Sequence, residues 1–196
     1  VIEYTIFETN WGYFGLCATE KGLLRSVLPD YDAKNVENEL IRAVLGVKNG
    51  EEKENPDFNS TSKAKLLQLK NLGFEHNPRK FVKLAEHICD YFTEGPVMFS
   101  GEVIDYSQLS DFTRKVLRAC MEIKYGEVTT YGEIAKKAGF PRASRAAGRV
   151  LAANRLPLII PCHRIIRSDG TLGGFSAGAG CDTKALLLAH ERKNKP

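Results

Sequence analysis

The chain opens on short runs in which apolar and polar positions alternate. Tyr4–Phe7, Trp11–Ala18 and Leu23–Leu28 are rich in aromatic and aliphatic residues, and Asn and Gly turn signals, including Glu20-Lys21-Gly22, separate them. That pattern predicts an antiparallel meander. The period then lengthens. Asp32 to Leu45 puts Val36, Leu40, Ala43 and Val44 on one side at helical spacing, and Arg79 to Thr93 does the same with Phe81, Leu84, Ala85, Ile88 and Phe92. Between them, about residues 46–65 form a polar stretch rich in Glu, Lys, Asn and Ser, read as a loop or insertion. Ser110 to Ile123 predicts a further helix with Phe112, Val116, Leu117 and Cys120 on its apolar side and Ser110 or Asp111 as cap.

Thr130-x-x-Glu133 has capping-box spacing, in which the threonine hydroxyl accepts from an orphan N–H of the first turn. The helix it opens runs through Ile134, Ala135 and Ala138 and stops at Gly139, and Phe140-Pro141 makes the corner. A second helix is predicted over Arg142 to about Ala153. At about 100° per residue, Ala143, Ala146, Ala147, Val150 and Leu151 share one side, and Arg142, Arg145 and Arg149 line the other. This suits a helix-turn-helix that binds DNA, with small residues such as Ala143 and Ser144 letting the helix lie close to a nucleic-acid backbone. An ordinary helical hairpin with a solvated arginine face has the same pattern.

Charge sharpens that choice. Residues 1–105 hold 12 Lys/Arg against 17 Asp/Glu, and residues 106–196 hold 16 against 7, so the net +4 hides a strongly basic second half. Ile134 to Ser168 carries eight cations and no acidic residue. A long single-sign stretch points to a polyanionic partner. The expected architecture is α+β: a small N-terminal antiparallel sheet with helices over 1–105, then a mostly helical domain over 106–196 containing the DNA-binding helix-turn-helix. With 43% apolar and 27% charged residues the composition is that of a globular protein, and no apolar run reaches the roughly 18 residues of a membrane span. The first ten residues carry Glu3 and Glu8 and no cationic flank, unlike a secretory signal. Five cysteines without a C-x-x-C pair argue against a disulfide framework or a four-thiolate zinc site and fit a reducing compartment.

Leu156 to Ile166 reads as a buried apolar strand broken by Pro161-Cys162-His163-Arg164. A free thiol is only about 3% thiolate at pH 7, and nearby positive charge raises that fraction, so this cysteine is a candidate nucleophile. A bare Cys-His pair is weak, because a free cysteine is usually a small buried hydrophobe. Directly after a basic helix-turn-helix it is far more specific.

The arrangement resembles the O6-alkylguanine-DNA alkyltransferases, single-turnover repair proteins that take an alkyl group from guanine onto their own cysteine. The resemblance runs from Asp111 to Arg192 through YGEVTTYGEIAKKAG, RASRAAGRVLAANRLPLIIPCHR, GTLGGFSAG and LLLAHER. It implies that Cys162 is the alkyl acceptor, that His163, held by Glu191, acts as base through a water, and that Tyr131 donates to the departing guanine. Arg145 would fill the gap left by a flipped nucleotide, with Arg142, Arg149, Ala143 and Ser144 on the DNA. Asn154 would hold the turn before the active cysteine. Pro157 and Phe175 would wall the base pocket, and the Ser176 amide with the Cys162 and Ile165 carbonyls would read the guanine edge. No cofactor or metal is implied. The partner would be double-stranded DNA carrying O6-alkylguanine, met by a monomer in the cytoplasm, or in the nucleus of a eukaryote, with no membrane association.

Taken singly these residues have plainer readings. Tyr131 is then a half-buried aromatic, Glu191 a surface partner of Arg192, Arg145 a solvated charge, and Pro157 and Phe175 core filler. Phe175 also stands where the family commonly has tyrosine. Two rival functions remain open at this stage: a binder of damaged DNA without transfer, which would not need Cys162, and a thiol hydrolase using Cys, His and Glu, which gives no reason for the arginine stripe.

Overall fold

A computed structural model describes residues 1–45, 71, 73–93 and 95–195 of the 196. The polar stretch expected at about 46–65 lies outside the described residues. The alternating runs form β1 (Ile2–Thr9), β2 (Gly12–Thr19) and β3 (Gly22–Asp30), paired as an antiparallel meander from Glu3↔Ala18 through Thr9↔Gly12. A short strand, β4 (Phe74–His76), adds in parallel to the outer edge of β1, giving the order β3-β2-β1-β4.

The alternation in β2 decides what each face of the sheet covers. Phe14, Leu16 and Ala18 enter the main core. Cys17 faces α1 (Ala33–Leu45), whose Val36 and Leu40 close over that side. Gly15 is required there, since a Cβ would lie 2.6 Å from Val36 Cγ1. On the opposite face a 3-10 turn at Pro78–Phe81 leads into α2 (Val82–Thr93), which buries Leu84, Ile88, Tyr91 and Phe92. The same core continues into the second half through α3 (Asp111–Met121), with Val116, Leu117, Ala119 and Cys120 buried. Its cap is Ser110, whose Oγ accepts from Thr113 N at 3.2 Å.

The helix-turn-helix is present. Thr130 caps α4 (Tyr131–Lys137), its Oγ1 accepting from Glu133 N at 3.2 Å. Gly139, at φ +89°, ends the helix in a conformation that favours glycine, and Phe140 N donates to Ala135 O at 2.8 Å across the corner. The second helix, α5, spans Ser144–Ala152 rather than starting at Arg142. Pro141 and Arg142 belong to the turn, and Ala143 is the cap residue. Ala147 and Leu151 are buried, and Arg145 and Arg149 are exposed one turn apart.

The segment 156–166 is not a strand. It is a buried loop, a 3-10 turn at Cys162–Arg164 and a two-residue strand, β6 (Ile165–Ile166), which pairs in parallel with β5 (Thr129–Thr130). Two prolines remove donors from any ladder, and Leu158 sits at φ +76°. That backbone costs about 1–2 kcal/mol. Burying Leu156, Leu158, Ile159 and Ile160, all at most 2% exposed, returns about 1.5–3 kcal/mol each, so burial wins without regular structure. The sheet anchors this loop: Ser26 on β3 donates its N–H to Arg155 O (3.0 Å) and its hydroxyl to Pro157 O (2.8 Å). The last helix, α6 (Cys181–Lys193), buries Lys184, Leu187, Leu188 and Glu191. No helix among the described residues is long and apolar enough to cross a membrane.

Candidate active site

Cys162 opens the 3-10 turn and is 8% exposed at the floor of a cleft of about 730 Å3. The β5–β6 pairing sets Tyr131, the first residue of α4, beside it, and α5 supplies Ser144, Arg145 and Gly148 to the wall. Phe175 and Ser176 close the other side, and the Ser176 hydroxyl donates to Ala152 O at 2.6 Å, tying that loop to the end of α5.

Asn154 holds the turn as expected. Its Nδ2 donates to Ile160 O (2.9 Å) and to Cys162 Sγ (3.1 Å), and its Oδ1 accepts from Leu156 N (3.0 Å). Replacing Asn154 with Ala strips partners from a carbonyl and an N–H in a buried loop, so a loss of about 2–3 kcal/mol is expected in urea unfolding. Any reaction of the Cys162 thiol should slow in the same variant.

Burial pushes the Cys162 thiol up, and the Asn154 hydrogen bond and the Lys184 charge oppose this without overcoming it. The thiol is therefore protonated at neutral pH and needs a base. His163 is fully buried, and its Nε2 lies 2.7 Å from Glu191 Oε1. A carboxylate only accepts, so Nε2 carries the proton and Nδ1 of the neutral ring keeps its lone pair. Nδ1 is buried with no hydrogen-bond partner among the described residues. Burial lowers the His163 pKa, with Glu191 partly opposing, so the ring is neutral near pH 7.

Glu191 is no surface partner of Arg192. It is fully buried and accepts from Arg164 Nε (3.0 Å) and Nη2 (2.9 Å), Tyr91 Oη (2.7 Å) and Gly126 N (3.0 Å) as well as from His163. Burial alone would raise its pKa, but the hydrogen bonds from His163 and Arg164 and the Arg164 charge hold it at about 2. Arg164 neutralises this carboxylate, which lets His163 stay uncharged beside it.

Tyr131 is kept protonated by burial and by the neighbouring Cys162, against Arg167, so it can act as a donor. Gly173, at φ +69°, lets its loop approach that ring, where a Cβ would stand 3.0 Å from Tyr131 Oη. The remaining residues expected to read the base or to contact DNA have these surroundings. Pro157 is buried beneath β3 and lines a neighbouring cavity with Ser26 and Asn154. Ile165 is fully buried, and its carbonyl accepts from Lys184 Nζ at 2.5 Å. The Cys162 carbonyl accepts from Ile165 N. Arg142 and Arg149 are exposed away from the cleft lining, and Ala143 also lies outside it. Among the described residues, no group of three His, Cys, Asp or Glu side chains is placed to hold a metal.

Residues 111–193 match the family model of the 6-O-methylguanine DNA methyltransferase DNA-binding domain. A methylated-DNA–protein-cysteine methyltransferase of Mycolicibacterium paratuberculosis is 39% identical over 129 residues, covering 63% of this chain and 73% of the relative. Its counterpart from Cricetulus griseus is 32% identical over 197 residues, covering 97% and 82%. The chain belongs to the methylated-DNA–protein-cysteine methyltransferase family. The fold agrees: the crystal structure of the Mycobacterium tuberculosis O6-methylguanine methyltransferase superposes with a TM-score of 0.68 at 24% identity, covering all of this chain and 96% of that one.

Three members of the site in this methyltransferase-family chain escape sequence reasoning. Arg164 stands in the PCHR motif with no role assigned to it. Lys184 lies seven residues before Glu191, so the two charges end one buried helical stripe (184, 187, 188, 191), an unusual enough pattern to have flagged both. Tyr91 sits on the apolar stripe of α2, where nothing local distinguishes it from core.

Proposed function

We propose that Cys162 accepts an alkyl group from O6-alkylguanine in double-stranded DNA, in a single irreversible turnover by a monomer. The observation that carries this is the buried thiol at the floor of an open cleft, directly followed in the chain by a neutral histidine whose free Nδ1 is fixed by the Glu191 bond. The thiol proton passes through a water to His163 Nδ1. The thiolate then attacks the alkyl carbon, the carbon–O6 bond breaks, and its electron pair stays with guanine. Tyr131 supplies a proton to the departing base and regains one from solvent. A thioether has no easy way back to the thiol, so one molecule repairs one lesion. A DNA-acting protein of this kind works in the cytoplasm, or in the nucleus of a eukaryote.

The lesion is hidden in the duplex, so the nucleotide must be extruded, at a cost of a few kcal/mol. Arg145 stands exposed on the cleft wall and fits the gap in the stack. Its loss offers a direct check. Arg145→Ala should slow transfer from duplex about 30–100-fold, the rate equivalent of about 2–3 kcal/mol of extrusion cost. Transfer from the free base O6-benzylguanine, which needs no extrusion, should hardly change. An equal fall on both substrates would remove the gap-filling role.

The whole reading is tested by intact mass after incubation with excess O6-methylguanine duplex, followed by peptide mapping. One added methyl on Cys162 and no second turnover is the expected result. Tight binding without a mass change would replace transfer by recognition alone.

A further inference from the structure

The Glu191–His163 pair receives a buried side chain from the sheet-bearing half of the chain. Tyr91 on α2 is 0% exposed, and its Oη donates to Glu191 Oε1 at 2.7 Å across 100 positions of sequence. His163 Nε2 bonds the same oxygen at the same distance. The phenol is fixed from every side. Its ring meets Phe92 edge-on at 5.1 Å and Tyr125 edge-on at 5.6 Å, and its backbone carbonyl accepts from His190 Nε2 at 2.6 Å. His190 is in turn held against Trp11, 5.3 Å between ring centroids. Glu191 does not need this bond for satisfaction, because Arg164, His163 and Gly126 already occupy the roughly four acceptor sites of a carboxylate. Phenylalanine would fill the same space without a hydroxyl to bury.

We propose that Tyr91 is a positioning residue for alkyl transfer: its phenol holds Glu191 Oε1 and shares that oxygen's charge, setting both the orientation and the basicity of His163. The inference rests on the reading of Cys162 as acceptor and His163 as base. It gives the N-terminal half a part in the chemistry, through a hydrogen bond rather than through packing alone.

The groups that face His163 are Glu191 and Lys184 from α6, Arg164 and Cys162 from its own turn, and Tyr91 from α2 behind Glu191. Removing the phenol O–H leaves all the others in place. Glu191 Oε1 then presents more negative charge to the imidazole, which holds its proton more tightly. The base is consequently lost at a higher pH than in the wild type.

The test is Tyr91→Phe in the full chain, beside the wild type, with single-turnover methyl transfer from an O6-methylguanine duplex followed from about pH 5 to about pH 9. The rate constant should fall about tenfold and the acidic limb of the profile should move to higher pH. The reaction amplitude counts folded, competent protein and should stay the same, as should duplex affinity. An unchanged rate constant overturns the proposal, whatever the amplitude. A slower rate with an unmoved limb also overturns it, because that is what loss of packing alone would give. Failure of the wild type itself to methylate Cys162 would instead remove the acceptor reading on which the proposal stands.

Discussion

Cys162→Ala should abolish alkyl transfer completely while leaving duplex binding within about threefold of the wild type, a change below about 1 kcal/mol. The two effects separate because the elements that carry them separate. The sulfur lies at the cleft floor, 8% exposed, and accepts from Asn154 Nδ2 at 3.1 Å. Asn154 keeps its bonds to Ile160 O and Leu156 N when the sulfur goes, so the turn stays closed. The cations proposed to meet the phosphates and the stack are on α5 and its corner, on the exposed face. Binding through them follows counterion release and does not consult the thiol. Lesion-duplex affinity by gel shift and repair by mass spectrometry, measured on one sample, read both halves of this expectation. Repair by the alanine variant would move the acceptor to another thiol. Cys181 is the natural place to look, since it is exposed and its Sγ donates to Gly173 O, in the loop that contacts Tyr131.

The parts of this protein that can be read along the chain are those fixed by short-range rules. The period-2 runs of β1 to β3, the cap at Ser110, the capping threonine at 130 and the glycine stop at 139 depend on residues within a few positions of one another. Each appears in the fold where its pattern places it. Leu156 to Ile166 misleads for the opposite reason. Its apolar run is equally compatible with any fully buried backbone, and the form it takes is set by Ser26 on β3 and by Asn154, neither of which the run itself contains. The arginine spacing places the start of α5 too early, because it continues into a corner that Pro141 and Ala143 keep out of the helix.

The active site divides along the same line. Cys162 and His163 are adjacent, and the motif that contains them names them. Glu191 is legible as a member of a recognisable stretch, but its burial is not, because the partner that makes it tolerable is Arg164 rather than its neighbour Arg192. Tyr91 joins the network from 100 residues away and leaves no local mark. Long-range polar contacts in a core are a property of the packed fold. The sequence shows one end of such a contact only where a charged residue interrupts an apolar stripe, as Lys184 and Glu191 do on α6.

Glu191→Gln should cost about 3–5 kcal/mol of stability, the penalty for removing one partner of a buried ion pair. Glutamine is nearly isosteric, yet every neighbour of this carboxylate is a donor: the Arg164 guanidinium, the His163 ring N–H, the Tyr91 hydroxyl and the Gly126 amide. The new NH2 would meet donors on all sides, and Arg164, 2% exposed, would keep its full charge with one neutral amide oxygen, the Ile123 carbonyl and the Tyr125 ring in place of an anion. Such a loss is a large share of the roughly 5–15 kcal/mol that holds a domain folded. The same carboxylate sets an acid limit. Its folded pKa, about 2, lies below the ordinary 4.5, so its stabilisation is fully present above the ordinary value and is lost as the pH falls through about 2. Urea unfolding of the wild type should therefore weaken progressively over that window. The glutamine variant, already lower at neutral pH, should lack this part of the acid dependence. A variant within about 1 kcal/mol of the wild type at neutral pH would mean that water reaches Arg164 and that the pair is far less isolated than its burial implies.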